Sequence, residues 1–251
     1  ITVIFIVMNA NERVDIIKNW ILNYVNSMPK KATSLVVGVS GGIDSAVVST
    51  ICSMTGINTF ALSMPIKQIK TQDDLSKMHC DWLVNNFKNV NYLNIELDKV
   101  FSSFENAVNT NNSEHAFANS RARLRMTTLY QIAGSNNGIV VGTGNKVEDF
   151  GVGFYTKYGD GGVDISPIAD CKKTEVWEMG KFLKINEKII NAPPTDGLWS
   201  DGRNDEEQLG MSYKELEEAM DNPDSKNYQK YLKIRENNLH KMKEIPVCKF
   251  N

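Results

Sequence analysis

Apolar residues recur at helical spacing from Asn11 to Met28, through Val14, Ile17, Ile21, Leu22 and Val25, and Pro29 with the following lysines ends the pattern. Beyond that point the period changes. Short apolar runs at Leu35–Val39, Asn58–Ser63, Asn91–Ile95 and Gly138–Thr143 have the length and composition of buried strands, and helical patterns near 44–55, 72–87, 98–109 and 114–134 fall between them. This alternation predicts an α/β chain with a Rossmann-like, doubly wound parallel sheet, where ligands bind beyond the carboxyl ends of the strands at the point where strand order reverses. A charged helix is expected over 226–243, and the polar stretch Thr195–Gln208 reads as a mobile loop. No repeat, heptad array or low-complexity linker interrupts the chain, so a single domain over 11–251 is expected, preceded by an extension, 1–10. The apolar run Ile1–Val7 is too short to cross a bilayer and lacks the flanks of a signal peptide; a short added edge strand is its competing reading.

Between the first predicted strand and its helix lies Ser40-Gly41-Gly42-Ile43-Asp44-Ser45. Two glycines let the backbone bend toward an anion, and the first amides of a helix point at it with the positive end of the dipole. Asp44 adds a carboxylate able to hold Mg2+ beside phosphates. The spacing is neither a Gly-Lys-Ser/Thr phosphate loop nor a Gly-x-Gly-x-x-Gly dinucleotide turn. It resembles the pyrophosphate loop of the ATP pyrophosphatases, which split ATP between the α and β phosphates. Taken alone, an ordinary strand-to-helix turn with a serine cap is the other reading.

The chain's 251 residues suffice for one sizeable core, and a net charge of −2 argues against a partner held by bulk electrostatics, such as nucleic acid. Cys52, Cys80, Cys171 and Cys248 lie far apart without metal-ligand spacing, which favours reduced thiols and a cytoplasmic location, with no membrane partner.

A second constellation begins at the fourth predicted strand. Val140-Val-Gly-Thr-Gly-Asn-Lys-Val-Glu-Asp149 runs into Phe154-Tyr-Thr-Lys-Tyr-Gly-Asp-Gly-Gly-Val-Asp164, a glycine-rich turn bearing Lys157, Asp160 and Asp164 close to Glu148. By itself this reads as a solvated loop. With the first motif, and with Asn119-Ser-Arg-Ala-Arg-Leu-Arg-Met126, Lys172-Lys173-Thr174, Ala192-Pro-Pro-Thr195, Asp205-Glu-Glu-Gln-Leu-Gly210 and His240-Lys241, the chain resembles the bacterial NAD synthetase family from about Glu12 to Lys241.

The resemblance implies ATP-dependent amidation of deamido-NAD by ammonia, through an adenylated carboxylate and with release of pyrophosphate and AMP. It implies that Gly38, Val39, Ser40, Gly41, Gly42, Ile43, Asp44 and Ser45, with Thr143, Lys173 and Thr195, bind ATP. By the same match Asp44 and Glu148 hold Mg2+, and Asp44 and Lys173 are the catalytic pair. Deamido-NAD is matched to Arg123, Lys157, Asp164, His240 and Lys241, the last two reaching across a homodimer whose interface includes the 114–134 helix. Arg121 and Arg125 lie on the helix face away from Arg123 and default to exposed charge or subunit contacts.

Two departures stand out. Gly144-Asn145-Lys146 follows Thr143 where some members have Asp-His, and an insertion over Glu148–Gly153 makes Asp149 a second metal candidate. Nothing before Asn11 resembles a glutaminase domain, so free ammonia is the expected nitrogen source. Other adenylating enzymes of the superfamily, among them tRNA thiolases and GMP synthetase, and a nucleotide-sensing module are the alternatives; the last has no need of the Lys157–Asp164 loop.

Overall fold

Four short parallel strands form one sheet in the order β3-β2-β1-β4, from β1 (Ser34–Gly38), β2 (Asn58–Ser63), β3 (Val90–Asn94) and β4 (Gly138–Val140). The computed structural model describes residues 8–108, 113–195 and 204–250; the expected extension at 1–7 lies outside them, as does part of the Thr195–Gln208 stretch. Strand side chains alternate between two helical layers. Leu35 and Val37 pack with α1 (Ala10–Ser27), α2 (Ile43–Met54), α6 (Lys173–Phe182) and α7 (Glu187–Ile190), while Val36 and Leu62 pack with α4 (Asp98–Ala107) and α5 (Glu114–Ser135). Each fully buried aliphatic side chain of this kind contributes roughly 1.5–3 kcal/mol.

The first helix buries Val14, Ile17, Ile21 and Val25, as its spacing requires, and begins in a capping box in which Asn9 and Glu12 exchange side-chain-to-backbone bonds of 2.9 and 3.0 Å. Helix α3 (Lys70–Asn86) covers β2 and β3, with Cys80 and Leu83 buried on Ala61 and Val90. A third layer stands at the carboxyl edge. There a π-helix (Lys146–Val152), α8 (Asp205–Leu209), α9 (Tyr213–Asp221) and α10 (Tyr228–Met242) close around Val147, Val152, Leu216 and Tyr231.

Two expectations change. The fourth strand stops at Val140, short of Thr143, because Asp164 takes over the edge: its carboxylate accepts the Val140 N–H at 2.7 Å and its own N–H donates to the Val140 carbonyl at 3.0 Å. The polar stretch after Thr195 is not all loop. Asn204 and Glu207 form a capping box that starts α8, and Gly210, at φ 66°, ends it.

His79 of α3 is buried, its Nε2 3.2 Å from the Ala46 carbonyl and 3.1 Å from Ser49 Oγ. Burial lowers its pKa from 6.5 to about 4. The unfolded chain therefore binds a proton across that window that the folded chain does not, so stability falls as pH drops from 6.5 toward 4 and levels off below. The loss is on the order of 3 kcal/mol. Urea midpoints at pH 7 and pH 4.5 should converge in His79→Gln relative to the parent; equal pH sensitivity of the two proteins would contradict this account.

Candidate active site

Order reverses between β1 and β4, and the carboxyl ends of these strands open on a cavity of about 510 Å3. Its wall includes every residue from Gly38 to Ser45, together with Thr143, Glu148, Lys173, Thr195 and Asp205. Gly42 is the N-cap of α2 and makes no side-chain cap bond, which leaves the first amides of the helix for an anion. Two serines staple the turn beneath: Ser45 Oγ accepts from the Ser40 N–H at 3.1 Å and donates to the Gly42 carbonyl at 3.0 Å. Gly41 adopts φ 93°, and a Cβ there would lie 2.7 Å from the Gln72 carbonyl oxygen, so backbone conformation and space both demand glycine.

Lys173 opens α6, whose start is held by Glu217 of α9 through bonds to the Thr174 N–H (3.0 Å) and hydroxyl (2.8 Å). That anchoring sinks the lysine. Its side chain is 2% exposed, and Nζ sits 2.5 Å from Asp44 Oδ2 and 2.8 Å from Glu148 Oε1, whose own side chains keep 16% and 15% exposure toward the cavity. Asn145 links the two carboxylates from behind. Its Oδ1 accepts the Val147 and Glu148 N–H groups, both at 3.0 Å, which turns its Nδ2 to Asp44 Oδ1 at 3.2 Å. The stretch Glu148–Gly153 forms most of the π-helix and its left-handed cap, and its wider turn carries Glu148 into this position.

Two carboxylates share this one ammonium, and a third, Asp149, is close enough to feel them. Burial pushes the Asp44 carboxyl up against the pull of Lys173; burial pushes Glu148 the same way, but Lys173 prevails and holds it below its ordinary value. Lys173 is itself held charged: burial opposes its proton, and the two carboxylates outweigh burial. Asp149 is raised well above the carboxylate range by burial, then by Asp160, Glu148 and Asp44. Its carboxylate lies over Gly144, where a Cβ would fall 1.9 Å from Oδ2. This negative excess of hard oxygen donors fits a divalent cation. Among the described residues no cluster of three acidic, His or Cys side chains could hold one unaided, so phosphate oxygens and water would complete the shell, the usual coordination of Mg2+ at a nucleotide.

The residues matched to deamido-NAD divide into two places. Arg123 donates from Nε and Nη2 to the Lys157 carbonyl (both 3.3 Å), Lys157 Nζ reaches the His240 carbonyl at 3.4 Å, and Lys241 Nζ donates to the Gly153 and Tyr155 carbonyls at 2.8 and 2.9 Å. These contacts, all to backbone carbonyls, hold Arg123, the Lys157 loop and the end of α10 together within one chain, where the resemblance implied that His240 and Lys241 reach across a dimer. Asp164 stands apart, bonded to the Val140 N–H and, at 3.1 Å, by the Tyr130 hydroxyl.

The exposed-charge reading of the other arginines is overturned. Arg121 is buried, its guanidinium 5.5 Å from the Phe101 ring, and Arg125 lines the cavity while its Nε donates to the Met64 carbonyl at 3.0 Å. Three further residues, Asn145, Asp205 and Tyr213, belong to the site without being among the matched ligand residues. Tyr213 donates to Glu148 Oε1 at 2.5 Å and lies 3.2 Å from Asp205 Oδ2. Asn145 had a legible signal as the N-cap after a glycine; Tyr213, behind Ser212, reads only as a core aromatic at a helix start.

Comparison with known proteins places this geometry. A model of the NAD synthase family matches residues 13–249. The NH(3)-dependent NAD(+) synthetase of Carboxydothermus hydrogenoformans is 37% identical over 215 residues, 84% of this chain and 85% of the relative; that of Finegoldia magna is 36% identical over 246 residues, 97% and 98%. The solved structure of NMN synthetase from Francisella tularensis superposes with a TM-score of 0.88 at 30% identity, covering 97% of this chain and 100% of the other. The chain belongs to the NAD synthase family and is an NH3-dependent ligase that amidates deamido-NAD to NAD at the expense of ATP.

Proposed function

We propose that the reaction runs through an adenylated carboxylate assembled at the Asp44–Lys173–Glu148 site. A nicotinate carboxylate oxygen bonds to the α-phosphorus of ATP, the bond from that phosphorus to the α–β bridging oxygen breaks and pyrophosphate leaves; ammonia then bonds to the carboxyl carbon, AMP departs with the electron pair of the broken bond, and one ammonia proton is lost to water. The observation that carries this reading is Lys173 Nζ lying 2.5 and 2.8 Å from two cavity-facing carboxylates beside the uncapped start of α2. Helix amides receive the departing phosphates, and Lys173 supplies a fixed cation where charge develops. Mg2+ on Asp44 and Glu148 would neutralise polyphosphate charge. Arg123, Lys157, His240 and Lys241 take the anionic dinucleotide, with Asp164, apart from them beside β4, as a further contact.

A homodimer and a cytoplasmic address belong to the same proposal. The first is supported by the exposed apolar side chains Val100, Phe104 and Tyr130 on α4 and α5, the second by buried free thiols at Cys52, Cys80 and Cys171. No helix among the described residues is long and apolar enough to cross a membrane. The likeness to the Francisella NMN synthetase favours a second reading, in which the mononucleotide acid is also amidated. Protein supplied with ATP, Mg2+, ammonium and deamido-NAD should yield NAD, AMP and pyrophosphate in equal amounts. Nicotinate mononucleotide in parallel reads the second acceptor. Pyrophosphate should also appear in a first turnover without ammonium; its strict dependence on ammonium would contradict the adenylated intermediate.

A further inference from the structure

The geometry points to Tyr213 as a positioning residue for this reaction: its hydroxyl fixes Glu148 so that one carboxylate oxygen is committed inward and the other is left for the metal. The inference rests on Glu148 being an Mg2+ ligand.

Two side-chain donors at the Glu148 carboxylate converge on one atom. Lys173 Nζ reaches Oε1 at 2.8 Å and the Tyr213 hydroxyl reaches the same Oε1 at 2.5 Å, and Glu148 also lines the cavity, so on this inference Oε2 is the oxygen offered to the metal. A phenol has one proton to give, and the nearer acceptor takes it; Asp205 Oδ2, at 3.2 Å, forms the other wall of the slot. The ring is fixed as firmly as the hydroxyl. Tyr213 is 1% exposed, its ring edge-to-face with Trp177 at 5.7 Å and 4.9 Å from Lys173 Nζ. Its backbone N–H donates to Glu206 Oε1 at 2.9 Å, and the Ser212–Glu215 capping box sets the helix start that carries it.

Tyr213 therefore ties α8 and α9 to a carboxylate on the π-helix. A ligating carboxylate is free to rotate unless a second group holds it, and loss of such a partner typically weakens metal binding by about 10–100-fold.

Tyr213→Phe keeps the ring against Trp177 and beside Lys173 and removes only the hydroxyl. Mn2+ serves as the probe, its binding read by electron paramagnetic resonance of the free ion in the presence of α,β-methylene-ATP. The variant should bind Mn2+ about tenfold more weakly. Turnover at low Mg2+ should fall to the same degree and recover at high Mg2+, with the KM for deamido-NAD within about twofold of the parent. Circular dichroism melting in metal-free buffer checks the fold independently. Mn2+ affinity equal to that of the parent, while Glu148→Gln binds it more weakly, overturns the positioning role alone. Unchanged affinity in Glu148→Gln overturns the metal reading of Glu148, and this inference with it.

Discussion

Lys173→Met is expected to lower pyrophosphate release on the order of 10^3-fold and, unlike most active-site substitutions, to destabilise the fold by about 3–5 kcal/mol at neutral pH. The rate loss follows from removing a preorganised cation from a site where charge builds on the leaving phosphates. The stability loss follows from what remains. Methionine fills the volume, but Asp44 and Glu148 then face each other across a pocket with no cation between them, and Asp149 lies close by. Their protonation offsets part of the cost, which fixes the sign of the pH effect. In the parent, Glu148 is depressed by Lys173, so it contributes stability above its ordinary value of 4.5 that is lost as pH falls through the folded value. In the variant the same carboxyl is raised by burial and by Asp44, which destabilises at high pH and is relieved as pH falls. The gap in urea midpoint between parent and variant should therefore narrow from pH 8 toward pH 5, and Mg2+ should narrow it at neutral pH. A gap that widens on acidification would mean that Lys173 does not neutralise these carboxylates.

Alternating short apolar runs and helical patterns were enough to place the sheet, because a buried parallel strand has few other ways of being written. The first-strand turn was readable for the same reason: Gly41 needs a positive φ and has no room for a Cβ, so its sequence is constrained locally. What escaped was long-range. The end of β4 is decided by Asp164, twenty-four residues on, which competes for the backbone groups that a longer strand would use. Arg121 and Arg125 share a helix face, as the period requires, yet one is buried beside Phe101 and the other lines the cavity. Periodicity gives a direction around the helix and says nothing of what the fold puts there. Tyr213 meets Glu148, and Asp205 meets Tyr213, because α8 and α9 return over the sheet's carboxyl edge; within their own segment they are a helix-start aromatic and a first-turn acid.

Asp44→Asn should separate catalysis from stability in the direction opposite to the lysine variant. Asparagine is isosteric and can still accept the Asn145 amide with its own oxygen, but that orientation turns its NH2 group toward Lys173 Nζ, a donor facing a donor. The ion pair is lost, and so is the cost of burying a charge, which for Asp44 already exceeds the pull of Lys173. The two nearly cancel, so urea stability at pH 7 should stay within about 1 kcal/mol of the parent. Catalysis has no such compensation. An amide cannot replace a charged Mg2+ ligand, and Lys173 drifts toward Glu148, away from the phosphates; pyrophosphate release should fall on the order of 10^3-fold. Metal-free ATP, by contrast, should bind as well or better, since one negative charge beside the phosphates has gone while the amides at the start of α2 remain. Calorimetric titration with ATP in a chelating buffer measures this directly. If Asp44→Asn weakens metal-free ATP, Asp44 organises the phosphate turn; if it binds ATP and releases pyrophosphate normally, Asp44 is no metal ligand.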